Sequence, residues 1–418
     1  MLHPSCTPCS KSELDLFSVP NVQTTIEESV FHTVHPLSTI GGNESPLEFF
    51  IPGSGEMYID PSSIRIYLKL RIVKSDGTEL DAACNVYGEN YIVGSMFSTA
   101  DISLNDVTFT TGSYPYRSYL ETILNCTDEA KKTVLAAGGY FEDLDELQEF
   151  YKDKKSISVY GRIHSDILNS DRLILNNVSM KLRLIRSNNA FVLKTYSSDT
   201  NTYRLEVLDT YLSVRRVRLN GNFLLNIEKR LLNETAKYPL NRVVCRQYTI
   251  NGGVLNRRVD NISLGLLPIR VILGIVDHAS FSGIHKASGL KFQHSNIGCV
   301  DVHVNGVSTD RVYKVNYSDG KRDYSHALFR LHEVLNENDG SSGISRERYI
   351  NDMNLYAFNL SPDYSLPNNE YVSPIKQGTL SVSLDFNKTL STPVSLIVLL
   401  EYDHILEIDR SRNILVNY

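Results

Sequence analysis

Along much of the chain apolar and polar residues alternate one by one, the period of a half-buried β-strand. In Ile64–Val73, Ile64, Ile66, Leu68, Leu70 and Ile72 point one way, and Arg65, Tyr67, Lys69 and Arg71 the other. Val178, Met180, Leu182 and Leu184 alternate with Ser179, Lys181 and Arg183 in the same manner. Further strands are predicted at Leu47–Ile51, Ile92–Thr110, Ile157–Asp166 and Tyr203–Leu219. Helical spacing interrupts this pattern in a few places. Tyr116, Tyr119, Leu120, Ile123 and Leu124 predict a helix over Tyr114–Asn125, and Leu144, Leu147 and Tyr151 predict another within Glu142–Lys155. Phe223, Leu224, Ile227 and Leu231 predict a connecting helix within Asn220–Ala236. Residues 1–25, with Pro4, Pro8 and Pro20, follow neither period. They are expected to form a flexible arm that orders against a partner.

The pattern occurs twice. Asp101–Val107 alternates and then meets the turn pair Asn105-Asp106, while Asp301–Val307 alternates and meets Asn305-Gly306. Ile64–Val73 has a counterpart in Ile269–Val276, and the helical stretch 114–125 has one in Ser325–Leu335. Ile157–His164 pairs with Met353–Leu360, and Val178–Leu184 with Leu380–Phe386. The offsets cluster near 200 residues and keep their order, so the chain reads as a tandem duplication with its boundary near residue 220. Each half is expected to hold roughly eight short strands and one helix. The fold class is therefore all-β: two tandem eight-stranded antiparallel jelly rolls, a double jelly roll, with a few short helices. The expected division is an N-terminal arm (1–29), a first jelly roll (30–219), a connecting helix (220–236) and a second jelly roll (237–418). Asn105 and Asn305 should then occupy corresponding turns.

The 418 residues suffice for two or three domains, and 42% hydrophobic residues suffice for real cores. A net charge of −6 gives no basic excess for bulk nucleic-acid binding, and no sequence-specific binding is expected. The six Cys are too sparse for a secreted disulfide framework, so reduced thiols are expected. The start of the sequence lacks a basic and an apolar signal region. Without a secretory route, the sequons at Asn43, Asn125, Asn177, Asn233, Asn261, Asn316 and Asn387 are expected to be unused. The longest apolar run, Val394–Leu400, is strand-sized, so no membrane span is expected.

Candidate chemistry is thin. Cys6 and Cys9, near His3, have the spacing of half a zinc site, but no second Cys pair completes it. His32 and His35 stand three apart, which on a strand puts them on opposite faces. A bicupin-type enzyme would need His-x-His on a strand, and the chain contains none. Asp277, His278, Ser280 and Ser282 are triad residue types in an ordinary polar loop, with no nucleophile elbow. Pro52–Gly55 and Ala137–Gly139 read as turns, because neither continues into Gly-Lys-Ser/Thr. Val214–Arg218 is a short basic cluster, read as a solvated or subunit-facing sheet edge. No catalytic, cofactor-binding or metal-ligating residue is assigned, and neither an enzyme nor a cofactor is expected. A self-assembling structural protein is favoured. A lectin-like jelly roll is the alternative, and a bicupin-type enzyme comes after that.

Several segments together carry a family resemblance. They include Ser12–Phe17, Pro52–Glu56 with Tyr58–Asp60, Tyr114–Thr122 and Gly161–His164. Arg183–Ser187 with Ala190-Phe191, Thr235–Pro239, Leu267-Pro268 with Arg270-Val271, Ile375–Gly378 and Glu407–Leu415 complete the set. In these the chain resembles the double jelly-roll major capsid protein of Polinton/Maverick elements and adintoviruses. The Cys6/Cys9 arm departs from that pattern. The resemblance implies a homotrimeric, pseudo-hexameric capsomer in an icosahedral shell around double-stranded DNA, with the arm at its base between neighbours. It implies a penton or minor capsid protein, a packaging ATPase and a maturation protease as partners. It places the chain in a virion assembled inside the host cell rather than secreted. Ile51–Gly55 superficially fits the cleavage pattern of such proteases, but it sits at a strand end and reads better as a turn.

Overall fold

The computed structural model describes residues 12–14, 16–17, 19–38, 45–80, 86–152, 156–195, 202–283, 287–309, 311–317, 322–335, 343–364 and 373–416. The first half builds β1 (Ile26–Val34), β2 (Leu47–Ile51), β3 (Met57–Lys74), β4 (Phe97–Leu104), β5 (Val107–Thr111), β6 (Ile157–Arg162), β7 (Met180–Arg186) and β8 (Tyr203–Leu219). All pair antiparallel, in two sheets ordered β1-β8-β3-β6 and β2-β7-β4-β5. The second half builds β9 (Ala236–Ile250), β10 (Asn256–Leu266), β11 (Arg270–Asp277), β12 (Ile297–Val304), β13 (Val307–Ser308), β14 (Leu355–Asn359), β15 (Gln377–Phe386) and β16 (Val394–Ile408). Its sheets run β9-β16-β11-β14 and β10-β15-β12-β13, the same order strand for strand. Two such facing sheets are a jelly roll, and the chain contains two. Short strands at Tyr313–Lys314 and Ile414–Val416 extend the second pair of sheets, and Val86–Gly88 pairs with Leu193–Thr195.

The duplication holds at the level of register. Leu104 faces Met180 and Asp101 faces Arg183, while Val304 faces Leu380 and Asp301 faces Ser383. A bulge falls between Phe97 and Thr99 in β4 and between Ile297 and Cys299 in β12. Asn105 and Asn305 turn the two hairpins at φ 47° and 53°. Each donates its N–H to a carbonyl, of Ser179 and Thr379, and its Oδ1 accepts that same residue's N–H at 2.9 Å. One correction follows. Leu380 corresponds to Met180, so the sequence pairing of 178–184 with 380–386 is two residues out of step. Replacing either Asn by Ala should cost roughly 1–3 kcal/mol, because it strains the left-handed backbone and orphans a donor. Asn105 also donates Nδ2–H to the Arg412 carbonyl at 2.8 Å. The loss should therefore be larger at 105 than at 305, as read from denaturant midpoints.

Other expectations shift. The predicted strand Ile92–Thr110 is broken, because Ile92–Ser95 forms a helical turn behind Tyr91, at φ 53°. Gly94 lets that turn press on the next helix; a Cβ there would stand 2.4 Å from Ser118 Oγ. The strands are not uniformly short, since β3 has 18 residues and β8 has 17. The main helices are α1 (Tyr114–Asn125), α2 (Leu144–Tyr151), α3 (Gly221–Arg230) and α4 (Ser325–Leu335). The ranges of α1 and α4 match the sequence reading. Helices α2 and α3 are shorter than read, each beginning where Asp143 or Asn220 accepts an N-terminal N–H as a cap. One helix per half is too few, as short helices also form at 128–132, 189–192, 278–282 and 346–351.

The barrel cores are the inward positions the alternation implied. Leu47, Phe49, Ile66, Leu68, Ile102 and Leu182 are fully buried in the first, and Val300, Val302, Leu380, Val382 and Leu384 in the second. Strand β14 and the first eight residues of β16 are buried at every position. That burial on both faces explains the near-continuous apolar run at Val394–Leu400.

Candidate functional site: the seam between the jelly rolls

Helix α1 carries the residues that join the two halves. Its Arg117, 1% exposed, donates to Glu121 Oε1 at 2.7 Å and Asp166 Oδ1 at 2.5 Å. Its Nη1 reaches the Val243 carbonyl of β9 at 3.1 Å, and the Val243 N–H returns to Asp166 Oδ1 at 3.1 Å. His164 Nδ1 hydrogen-bonds Glu121 Oε2 at 2.9 Å, and its Nε2 stands 3.0 and 3.1 Å from the Tyr91 and Thr122 hydroxyls. Burial alone would raise the Glu121 carboxyl, but the Arg117 guanidinium and the His164 hydrogen bond outweigh it and hold the group below the usual carboxylate range. Burial would lower the Arg117 pKa; its two carboxylate partners instead raise it. Burial pushes the Tyr91 phenol up to about 12 and the nearby Cys245 thiol up to about 12. Both groups therefore stay protonated and unreactive near neutral pH.

A second buried knot lies beyond the first. Glu89 accepts Ser288 Oγ–H at 2.8 Å and the Gly289 N–H at 3.1 Å, and Lys194 Nζ stands 3.4 Å away. Tyr116 donates its hydroxyl to the Gly289 carbonyl at 2.9 Å and stacks on Phe281 at 5.7 Å. A Cβ on Gly289 would stand 2.5 Å from Phe191, so this crossing requires glycine. At the opposite end, Arg412 reaches Asn176 Oδ1 at 2.7 Å and Glu228 of α3 at 2.5 Å. Tyr238 takes the Leu175 N–H at 3.2 Å and donates to the Leu173 carbonyl at 3.1 Å. The Asn105 turn, α3 and Arg412 thus share one end of the first jelly roll.

The sequence candidates land elsewhere. Cys6, Cys9 and His3 lie outside the described residues. His32 and His35 are exposed, and no metal-binding group of His, Cys, Asp or Glu occurs among the described residues. Asp277 spends its carboxylate capping the 278–282 helix through the Ser280 N–H and hydroxyl, while His278 turns to Ser395 at 2.9 Å. No relay joins the three. The turn at Pro52–Gly55 packs against Asn177, and Gly139 closes a turn at φ 77°. The basic cluster is not at a sheet edge, because β8 lies between β1 and β3. Arg215 pairs with Asp60 at 3.2 Å, Arg218 with Glu28 at 3.4 Å, and Arg216 donates to the Pro52 carbonyl at 2.8 Å. These partners largely neutralise it.

What sequence reading missed is the seam itself. Tyr114–Thr122 and Gly161–His164 carried the family resemblance, and they meet here. Glu89, Asp166 and Lys194 had no local signal. Exposed apolar side chains remain near the N-terminus (Leu14, Leu16, Phe17, Val19 and Val22) and on and just beyond α3 (Phe223, Leu225 and Leu232). No helix among the described residues is long and apolar enough to cross a membrane.

No family model matches the chain. An uncharacterized protein of Caenorhabditis elegans is 23% identical over 429 residues, spanning 96% of this chain and 99% of that protein. A chain of the Sputnik virophage structure superposes with a TM-score of 0.66 at 12% identity, covering 99% of this chain and 93% of that one. The Faustovirus major capsid protein gives 0.60 at 9% identity, covering 94% and 93%. The fold is the double jelly roll. The mavirus major capsid protein shares it with a TM-score of 0.53 at 10% identity, covering 100% of this chain and 96% of that chain. At such identities the likeness is one of fold. In this double jelly roll the seam is the joint between the two halves.

Proposed function

We propose that this chain is a structural major capsid protein. The observation that carries the reading is the seam: two jelly rolls locked together by buried ion pairs and hydrogen bonds. Such a unit is a rigid, two-lobed tile. Three tiles around a threefold axis give six lobes, and a pseudo-hexagonal capsomer can cover an icosahedral shell around double-stranded DNA. The solved structures similar to this chain include named major capsid proteins, which supports the same role here. The apolar residues near the N-terminus and Phe223 and Leu225 of α3 are exposed on the single chain, as expected of surfaces that assemble.

The same reading takes Polinton/Maverick elements and adintoviruses as the lineage, the virion as the location and a penton protein as a partner. It divides the chain into the arm (1–29), the first jelly roll (30–219), the connecting helix (220–236) and the second jelly roll (237–418). Sedimentation equilibrium of the purified chain should give a stable trimer at micromolar concentration, since interfaces of this kind bury thousands of Å². A persistent monomer under those conditions overturns the capsid reading.

A further inference from the structure

A cavity of about 610 Å³ opens on the second jelly roll, lined by His294, Tyr317, Arg322, Tyr324, Arg346 and Glu347. His294 directly precedes β12, and the other five lie between β13 and β14. Both connections are at the end of the barrel opposite the Asn305 turn. Its volume falls in the usual range of small-molecule sites.

One wall is a ladder of near-parallel rings. His294 stacks on Tyr317 at 4.6 Å and 12°, and Tyr317 on Tyr324 at 5.4 Å and 10°. The Arg346 guanidinium stands 5.2 Å from the Tyr324 ring centre. It donates to the Tyr324 hydroxyl at 3.1 Å and to Ser325 Oγ at 3.3 Å, so its fork is held in place. Neighbouring arginines have carboxylate partners: Arg311 with Glu333 at 3.1 Å, and Arg348 with Glu142 at 2.5 Å. Arg322 and Arg346 have none among the described residues, and the Glu347 carboxylate that also lines the cavity is unbonded too. Burial lowers the pKa of His294, so near pH 7 it offers a neutral hydrogen-bonding ring rather than a third cation.

We propose that this cavity binds an acidic sugar, a carboxylate flanked by hydroxyl groups. A guanidinium fork matches a carboxylate in shape and charge. Glu347 accepts hydroxyl hydrogen bonds, and its negative charge opposes a phosphate dianion more strongly than a singly charged carboxylate. Tyr324 is buried and Tyr317 is stacked on both sides, so an aromatic face for the C–H surface of a pyranose is left at half-buried His294, the end of the ladder. That the cavity faces outward rests on the capsid reading, whereas binding by the isolated chain does not.

The test is calorimetric titration of the full chain with N-acetylneuraminic acid, its neutral counterpart N-acetylmannosamine, and inorganic phosphate. The acid should bind, the neutral sugar should not, and phosphate should bind at least about tenfold more weakly, the equivalent of one charged hydrogen bond. Arg322→Ala touches an exposed side chain with no bonds to other described residues, so the fold should persist while affinity falls about tenfold. Glu347→Gln should narrow the gap between the acid and phosphate. Absence of binding, equal binding of phosphate, or an unchanged affinity in Arg322→Ala overturns the proposal. Sedimentation of the same sample separates the two readings, because a trimer that does not bind leaves the capsid proposal standing, and a monomer that binds leaves this one.

Discussion

Replacing Arg117 by methionine lowers the unfolding free energy by about 3–5 kcal/mol, the usual cost of breaking a buried ion pair from one side. The methionine fills much of the space, so the loss is electrostatic. Glu121 and Asp166 keep their burial and lose the cation that offsets it. The denaturant midpoint should fall with little change in slope, because the surface exposed on unfolding is nearly the same. The pH dependence gives a second reading. In the native protein the Glu121 pKa is depressed. Its contribution is therefore fully present above the unfolded-state value, about 4.3, and is lost as pH falls below that toward the folded value. In the Arg117→Met variant burial is no longer outweighed and the Glu121 pKa rises. The deficit between variant and native protein should then shrink as the pH is lowered from 7 toward 4. A deficit that stays constant over that range would show that packing, not charge, carries the effect.

Neither jelly roll should fold by itself. Separating the chain after residue 235 should yield two halves that are insoluble or lack fixed tertiary structure, and the intact chain should unfold in one transition. The reason lies in what each half would expose. The first would leave Glu89, Arg117 and Asp166 without their Ser288, Gly289 and Val243 partners. The second would leave those backbone groups unpaired, along with the apolar faces of Phe281 and Phe292 that meet Tyr116. Each orphaned buried polar group costs about 1–3 kcal/mol, and several of them approach the whole stability of a domain. Calorimetry of the intact chain and near-ultraviolet circular dichroism of the halves check this. Two independent transitions would mean the seam is a contact between autonomous domains.

Much of the fold was readable because strands with one buried face must alternate. β3, β4 and β7 were each recognised from that period, β8 from its Val and Leu content, and the helical stretches at α1 and α4 from theirs. The readings failed where local polarity misled. Asp60-Pro-Ser-Ser interrupts the alternation of β3, yet the strand runs through it from Met57, with a register shift opposite Ser213 and Arg215. Ile92–Ser95 looks like strand because it is apolar, but it is a helical turn buried on all sides. The candidate site was the least readable part. Arg117 meets Val243 across 126 positions, Glu89 meets Gly289 across 200, and Arg412 meets Asn176 across 236.

By itself the sequence determined that one pattern of alternating faces occurs twice, about 200 residues apart, and hence that the chain forms two equivalent antiparallel barrels. That information is local, because a side chain's face depends only on whether its position is odd or even. Tertiary structure decided the rest. A slide of two residues preserves every face, so alternation could not tell Val178 from Met180 as the partner of Leu380; only the hydrogen-bonded register could. The same holds for the seam and for the cavity at His294, Arg322 and Arg346. Their charges act through space, and only the folded chain sets those distances.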